Sequence, residues 1–350
     1  MVTITRTPDR QQWNHYVTGH GKSLFTHLWG WGSSLARVYA QQIFHLAACS
    51  DGPGGGITGV LPLIMFTQKN GGSRLISLPY SDSAGILADD RQSAAALLDE
   101  ALRLAAGYRA KHLELRHAAP GSAGVDDCLR DDRGWRNHSF KVGVSRSLPG
   151  SARTLWRDLS AKVRNQVRKA RKNGCDAAVG GRELLDSFYL VFAQNMRDLG
   201  SPVHHRALFD EVAAELDGFC RVVVVRYDAT PVAAAMVFRC RDTLYNPWAS
   251  SLRHYRPLCP NMLLYWTMLE YGCNSGCTVF DFGRSSPEAS TCRFKLQWGA
   301  RMTPLAWQVI SLADPPWDPR SERLEYNWIK NLSLEQSLRA GPPLRRLISL

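Results

Sequence analysis

Nowhere does the chain contain the roughly 20 consecutive apolar residues that a membrane-spanning helix needs. The longest candidate, Ile57 to Phe66, has the length of a strand and is interrupted by Gly59 and Pro62. No Cys-x-x-Cys pair occurs. The nine cysteines are an odd number and sit mostly in apolar stretches, as at Cys49, Cys220 and Cys240. Both facts speak against a disulfide framework and a structural zinc site. Cys273 and Cys277 form the closest pair, with no second pair or histidine cluster beside them, so no metal site is expected. Also absent are a Gly-x-x-x-x-Gly-Lys-Ser/Thr loop, a dinucleotide fingerprint, a Gly-x-Ser-x-Gly elbow and a His-Glu-x-x-His helix, which argues against nucleotide hydrolases, dehydrogenases and zinc proteases. The first ten residues carry charge of both signs and no apolar segment. No secretory signal is read there, and the cytoplasm is the expected compartment.

At 350 residues the chain is about twice the length of a usual ~100–200-residue domain, so two globular units are expected. A hydrophobic share of 45% against 21% charged residues is that of a soluble protein with packed cores. The net charge of +12 is unevenly placed: residues 151–350 carry +8, and eight basic residues against the single acid Asp158 lie between Arg153 and Gly174. A partner or substrate bearing several negative charges is implied.

The first half alternates strands and helices. Gln42 to Cys49 and Ile57 to Thr67 read as a hairpin across a Gly-rich loop, Arg74 to Leu87 as a further extended stretch, and Asp90 to Tyr108 as a helix with Ala94, Leu97, Leu98, Ala101, Leu104 and Ala105 at helical spacing. His112-Leu-Glu-Leu-Arg116 alternates as a strand does. A polar, turn-rich stretch from Pro120 to Gly134 precedes a strand from Asn137 to Ser147. Leu148-Pro-Gly-Ser151 is the best boundary, giving domains 1–150 and 151–312, with 313–350 as a helical docking tail. In the second half, helices are expected at Arg153 to Lys172, Arg182 to Leu199 and His204 to Leu216. A three-strand meander follows (Phe219 to Tyr227, Pro231 to Arg239, Thr243 to Ser250), then a helix from Pro260 to Asn274, a strand from Thr278 to Phe282, a short helix from Thr291 to Trp298 and a last strand near Leu305 to Ile310. The class is α/β (α+β) with largely antiparallel hairpins.

Two regions carry candidate chemistry. On one helix, Trp156, Leu159, Val163, Val167 and Ala170 form a stripe that leaves Lys162, Arg164, Arg168, Lys169, Arg171 and Lys172 on the remaining surface. Such a face fits a solvated surface, a phosphate contact or an anionic membrane surface; without interleaved aromatics it lacks the stacking platform of single-strand binders. In the second region, Phe280 to Gly299, a strand ends in a glycine, a polar loop carries Arg284 and Ser285, and a short helix begins near Ser290 or Thr291. Backbone donors and cations thus gather where an anion or oxyanion could sit. Phe294 and Trp298 share a helix face and Thr291 and Lys295 another, so Lys295 is either presented to a site or a surface lysine. Asp281 alternates with Phe280 and Phe282, which suits a base, an orienting group or a structural carboxylate. Trp248 lies at a strand end and fits a site edge or the core. His204 and His205 precede a helix, where capping or packing accounts for them.

At these residues the second half resembles the FemAB-like aminoacyl/acyl transferases of the acyl-CoA N-acyltransferase superfamily. Three blocks carry the likeness: Leu159 to Gly174; Pro247 to Arg256 with Cys259 to Trp266; and Phe280 to Ser285 with Arg293 to Ala300. They are most similar to the branch associated with exosortase/PEP-CTERM systems of exopolysaccharide producers. The resemblance implies two tandem GNAT-like domains with mixed, largely antiparallel sheets, and an amine attacking an activated acyl carbonyl. It implies that Lys295 of the Phe-Lys pair stabilises the oxyanion and that the basic helix faces phosphate or nucleic-acid groups. On this reading Asp281 is expected to deprotonate or orient the amine, and Arg164, Arg168, Lys169, Trp248, Arg284, Ser285 and Arg293 to contact substrate. Cys292 departs from relatives that often carry an aromatic residue there.

The acyl donor is either acyl-CoA or aminoacyl-tRNA. The strings nearest to a coenzyme A pyrophosphate loop, Arg171 to Asp176 and Arg197 to Pro202, both fail at the last position. The expected partners are a phosphorylated or polyanionic sugar, tRNA as a donor, and peripheral contact with the inner membrane. The expected activity is transfer to an amine of a polysaccharide, lipid-linked sugar or peptidoglycan precursor. The alternative is a non-enzymatic accessory protein that binds a polyanion or anionic membrane through its basic helix.

Overall fold

The computed structural model describes residues 2–50, 55–67, 72–119, 134–138, 141–313 and 326–349. The chain begins with β1 (Val2–Thr5), α1 (Arg10–Gly19) and α2 (Trp29–Tyr39). The hairpin β2 (Gln42–Ser50) and β3 (Ile57–Thr67) follows, then β4 (Ser73–Ile76), β5 (Leu87–Ala88), α3 (Arg91–Gly107), β6 (His112–His117) and β7 (Arg136–His138). Asp90 caps α3 by accepting from the Ser93 amide at 2.8 Å, and the six residues read as its apolar stripe are all buried against Leu61, Leu75, Leu113 and Leu115.

The extended stretch expected from Arg74 to Leu87 stops as a strand at Ile76. Leu78 and Tyr80 adopt positive φ on either side of Pro79, and the irregular segment that follows is held by buried side chains instead of a ladder. Thr26 Oγ1 donates to the Ser83 carbonyl at 2.5 Å, the Gly85 carbonyl meets His27 Nε2 at 2.9 Å, and Trp307 Nε1 donates to the Asp82 carbonyl at 2.9 Å.

The second set comprises β8 (Val142–Ser147), α4 (Ala152–Asp158), α5 (Ala161–Lys172), β9 (Cys175–Gly180), α6 (Leu185–Leu199), α7 (Arg206–Glu215), β10 (Cys220–Tyr227), β11 (Thr230–Cys240), β12 (Thr243–Ser251), α8 (Pro260–Asn274), β13 (Val279–Ser285), α9 (Ser290–Leu296) and β14 (Arg301–Pro304). β15 (Ala306–Ser311) and α10 (Leu334–Arg345) complete the chain. The single basic helix expected over Arg153 to Lys172 is two. Leu159 is extended, and Ser160 caps α5 by accepting from the Val163 amide. A capping serine offers the backbone an alternative to helix continuation, which the apolar stripe does not register. The strand expected over Asn137 to Ser147 is likewise two strands, β7 and β8, in different sheets.

Both sheets are mixed. One has the order β1-β2-β3-β4-β6-β15-β7 with β5 on β3; the other runs β14-β8-β13-β12-β11-β10-β9. Among the described residues, 2–142, 304–313 and 346–349 form one unit, and 143–303 with 326–345 form the other. This division differs from boundaries at 150 and 312. β15 pairs antiparallel with β6, Trp307 opposite Arg116, and so belongs to the first sheet; α10 belongs to the second unit and the residues after it to the first. Strand pairing over such separations leaves no local trace. The Pro-rich start of the tail and the stretch from Pro120 to 133 lie outside the described residues. The cysteines among the described residues are free thiols, and no helix there is long and apolar enough to cross a membrane.

Candidate active site

The second sheet contains a parallel pair that parts. β12 and β13, joined through the crossover helix α8, pair only at Thr243 with Val279, Leu244 with Phe280 and Tyr245 with Asp281. Beyond these residues β12 continues against β11 to Ser251 and β13 continues to Ser285, so the two strands are no longer joined at their carboxyl ends. That is where sheets with parallel strands place ligands.

A β-bulge marks the point of parting. Met236 opposes Trp248 and Phe238 opposes Tyr245, so Val237 faces both Asn246 and Pro247. Proline suits a bulge because it has no amide to donate. The buried Asn246 pins the bulge by donating from Nδ2 to the Trp248 carbonyl at 3.1 Å. On this lip Trp248 packs edge-on against Phe209 of α7, with ring centroids 4.9 Å apart, and the Ser250 hydroxyl accepts from Asn195 of α6 at 3.1 Å.

The other lip is held from the opposite face of the sheet. Phe282 stacks on Tyr265 of α8 at 5.8 Å, and Phe294 and Trp298 close on the same ring from α9 and its end. This packing presses α9 against the end of β13 and carries Lys295 inward. Lys295 is only 9% exposed, so it is no surface lysine. Its Nζ donates to the Gly283 carbonyl at 3.0 Å and to the Arg284 carbonyl at 2.8 Å. Gly283, at φ 72°, supplies the left-handed turn that brings successive carbonyls toward one ammonium.

Asp281 shares a sheet face with its neighbour Tyr245, opposite to that of Phe280 and Phe282. Its Oδ1 accepts from the Gly283 amide at 2.7 Å. The carboxylate therefore holds the peptide whose next carbonyl receives Lys295. Burial, and then the Asp281 charge, push the Tyr245 phenol well above its ordinary range.

Ser285, 6% exposed, has an Oγ with no hydrogen-bond partner among the described residues, and Ser251 Oγ at the end of β12 and Trp298 Nε1 are in the same condition. Unsatisfied buried groups are rare in folded proteins; Ser251 and Ser285 lie at the carboxyl ends of the two parting strands, where a ligand or water would complete them, whereas Trp298 belongs to the packing on Tyr265. Arg284 is half-buried on the same strand end, whereas Arg293 is exposed and donates to the Glu288 carbonyl at 3.3 Å.

β13 and α9 thus bring Asp281, Arg284, Ser285 and Lys295 together, and Trp248 stands on the facing strand. The α5 cations form a separate group. Arg164 is half-buried and donates to the Arg157 carbonyl at 3.2 Å; Arg168 lies over the Trp156 ring at 5.5 Å; Lys169 is exposed. Among the described residues none of the α5 cations has an ion pair. α5 packs on α8, and Trp156 meets Trp266 there, one residue from the Tyr265 that seats α9.

Asn195, Asn246 and Ser251 take part without having been singled out from the sequence. Pro247 inside a strand pattern was the available signal for the bulge. His205 caps α7 by accepting from the Ala207 amide at 3.0 Å. His204 is buried beside Trp248 and accepts from Arg345 Nε at 3.1 Å; burial and then that guanidinium hold its pKa well below the ordinary imidazole range. Among the described residues no group of three or more His, Cys, Asp or Glu side chains could hold a metal ion.

A parallel pair that parts at a bulge, covered on both faces by helices, can now be compared with known proteins. Residues 157–296 match the family model of the acetyltransferase (GNAT) domain. The fold is a tandem GNAT fold. FemX superposes with a TM-score of 0.71 at 16% identity, covering 89% of this chain and 98% of that one. L-PGS from Bacillus licheniformis gives 0.58 at 13% identity over 98% of each chain, and a tandem GNAT protein from the clavulanic acid biosynthesis pathway gives 0.56 at 12% over 91% and 100%. No curated protein matches in sequence. The GNAT match spans α5, both lips of the opening and all nine singled-out residues.

Proposed function

We propose that the chain transfers an acyl or aminoacyl group to an amine in the opening between β12 and β13. The observation that carries this reading is Lys295, a buried ammonium fixed by two carbonyls beside the unsatisfied Ser285 hydroxyl. A preorganised cation in a site of low dielectric stabilises charge that develops on a carbonyl oxygen without solvent reorganisation. In this reading Lys295 faces the oxyanion that forms when the amine attacks the acyl carbon, and Arg284 and Ser285 orient the acyl donor. Asp281 positions the Gly283 peptide under Lys295, since its Oδ1 is already engaged there.

The donor is acyl-CoA or aminoacyl-tRNA. The acceptor is an amine of a polysaccharide, lipid-linked sugar or peptidoglycan precursor, whose phosphates meet Arg164, Arg168 and Lys169. The GNAT match and the likeness in fold to FemX support amine acylation. A role in exopolysaccharide assembly of the exosortase/PEP-CTERM type is supported only by the sequence blocks around α5, β12 and β13.

The exposed cations of α5, which have no ion pair among the described residues, favour a second reading, a polyanion-binding accessory protein that retains the fold. Lys295→Ala separates the two. Transfer predicts a fall in kcat/KM of about 100- to 1000-fold in a variant that remains folded. The accessory reading predicts salt-sensitive binding of the polyanion that Lys295→Ala leaves untouched, and no turnover of any amino-sugar acceptor by the unaltered chain.

A further inference from the structure

The first unit contains the same strand event. β4 runs parallel to β6 at Leu75 with Leu113 and at Ile76 with Glu114. The Ser77 amide donates to the Glu114 carbonyl at 2.9 Å, and the Ser77 hydroxyl accepts from the Arg116 amide at 2.8 Å. There β4 ends and the chain turns aside through Leu78 and Tyr80. Strand alternation sends Leu113 and Leu115 into the core beneath α3 and turns Glu114 and Arg116 to the other face, beside Arg74 of β4.

A face carrying two guanidiniums is ordinarily solvated, yet Arg74 and Arg116 are fully buried. Residues 346–349 contribute to that cover. Arg74 Nη2 donates to Ser349 Oγ at 2.7 Å, and Arg116 donates from Nη1 to the Ser349 carbonyl at 3.2 Å and from Nη2 to its hydroxyl at 3.4 Å. The Tyr80 amide donates to the same carbonyl at 2.8 Å, and the Tyr80 hydroxyl to the Arg346 carbonyl at 3.2 Å.

We propose that the parting of β4 and β6 is a second ligand site, which takes an oxyanion between Arg74 and Arg116, and that residues 346–349 occupy it as a displaceable plug. The two guanidiniums converge on one acceptor atom, Ser349 Oγ. An anionic oxygen at that point would add direct charge pairing to hydrogen bonds that the guanidiniums already donate to a neutral hydroxyl, in a buried site of low dielectric. The planar guanidinium fork matches carboxylate and phosphate geometry. Glu114 and the Ser81 carbonyl already orient Arg116, at 2.7 and 2.9 Å, so the site is built before a ligand arrives. In all five of these hydrogen bonds residues 346–349 contribute only a hydroxyl and backbone carbonyls, acceptors that an oxyanion outcompetes.

The inference concerns the first unit alone and does not depend on the acyl-transfer reading. It is tested on the full chain by calorimetric titration with pyrophosphate and, separately, succinate, comparing the unaltered protein with a Tyr80→Phe/Ser349→Gly variant that has lost the plug's own hydroxyl and the Tyr80 hydroxyl that holds the plug. The variant is expected to bind one further equivalent of anion at least about tenfold more tightly, and adding Arg74→Gln is expected to abolish that gain. The Arg74 arm matters because the α5 cations also attract anions. The better of the two probes shows whether phosphate or carboxylate is preferred. As a second measurement, pyrophosphate should speed amide hydrogen exchange at residues 346–349 of the unaltered chain. Equal affinity in both chains, a gain that survives Arg74→Gln, or a plug whose exchange ignores the anion would overturn the proposal.

Discussion

The two strand openings start from the same topology and reach opposite electrostatic solutions. In the second unit the strand end receives one ammonium, from Lys295, which donates to two successive backbone carbonyls. In the first unit the strands themselves carry the charge, two guanidiniums with Glu114 between them, and the chain's own residues 346–349 lie on top. A cation delivered by a following helix can be set at an opening by the strand's own carbonyls. A cation on the strand must be covered, and the cover then competes with any ligand.

The largest effect that would sharpen this contrast is a crossed pair of substitutions. Arg116→Ala breaks a buried, hydrogen-bonded ion pair and should lower unfolding free energy by about 3–5 kcal/mol in urea titration, whereas Lys295→Ala, which breaks no ion pair of the strands, should cost less stability and act chiefly on turnover. Equal stability losses from both would erase the distinction. Asp281 offers the next test. Asp281→Ala removes the acceptor for the Gly283 amide and should lower kcat by about tenfold, the scale of one backbone hydrogen bond to a charged group. Asp281→Asn keeps a carbonyl acceptor in place and should stay within about threefold. If Asn were as damaging as Ala, the carboxylate would be acting as a base.

Acid stability tests the first unit by itself. Burial holds His27 of the first unit at about 4, its bond to Gly85 only partly opposing, and burial holds His45 at about 3. A lowered folded value means that the unfolded chain binds the proton first, so the stabilisation is full above the ordinary imidazole pKa near 6.5 and is lost as pH falls from there toward 4. His27 alone accounts for about 3 kcal/mol of that loss. Glu114 adds to it at lower pH: its burial raises the carboxyl, but Arg116 and Arg74 more than reverse this and leave it below the carboxylate range. Chemical denaturation at pH 7 and 5 should show a first-unit transition weakened at the lower pH, and a His27→Gln variant should reduce that difference by roughly half, His45 supplying the rest.

The elements built on local rules were legible in the sequence. α3 follows its apolar stripe and its Asp90 cap, α8 begins at Pro260 as expected, and the meander β10 to β12 falls between its turns. The Phe-Lys pair and the Gly283 turn pointed to the end of β13. What escaped was non-local. β6 reads as a strand with one polar face, yet every one of its residues is buried, because β15 and the last residues of the chain cover it. Lys295 reads as a surface lysine on helix phase alone, and only the packing of Phe294 and Trp298 on Tyr265 turns it inward.

By itself the sequence determined the α/β class, the basic segment from Arg153 to Gly174 and the strand that carries the Gly283 turn, because periodicity, capping and turn chemistry act over a few residues. Tertiary structure alone decided which strands part, which charges are buried and what lies over them. Those outcomes depend on contacts between residues far apart in the chain, such as Arg74 with Ser349, whose closure entropy is met only by the packing of a whole unit.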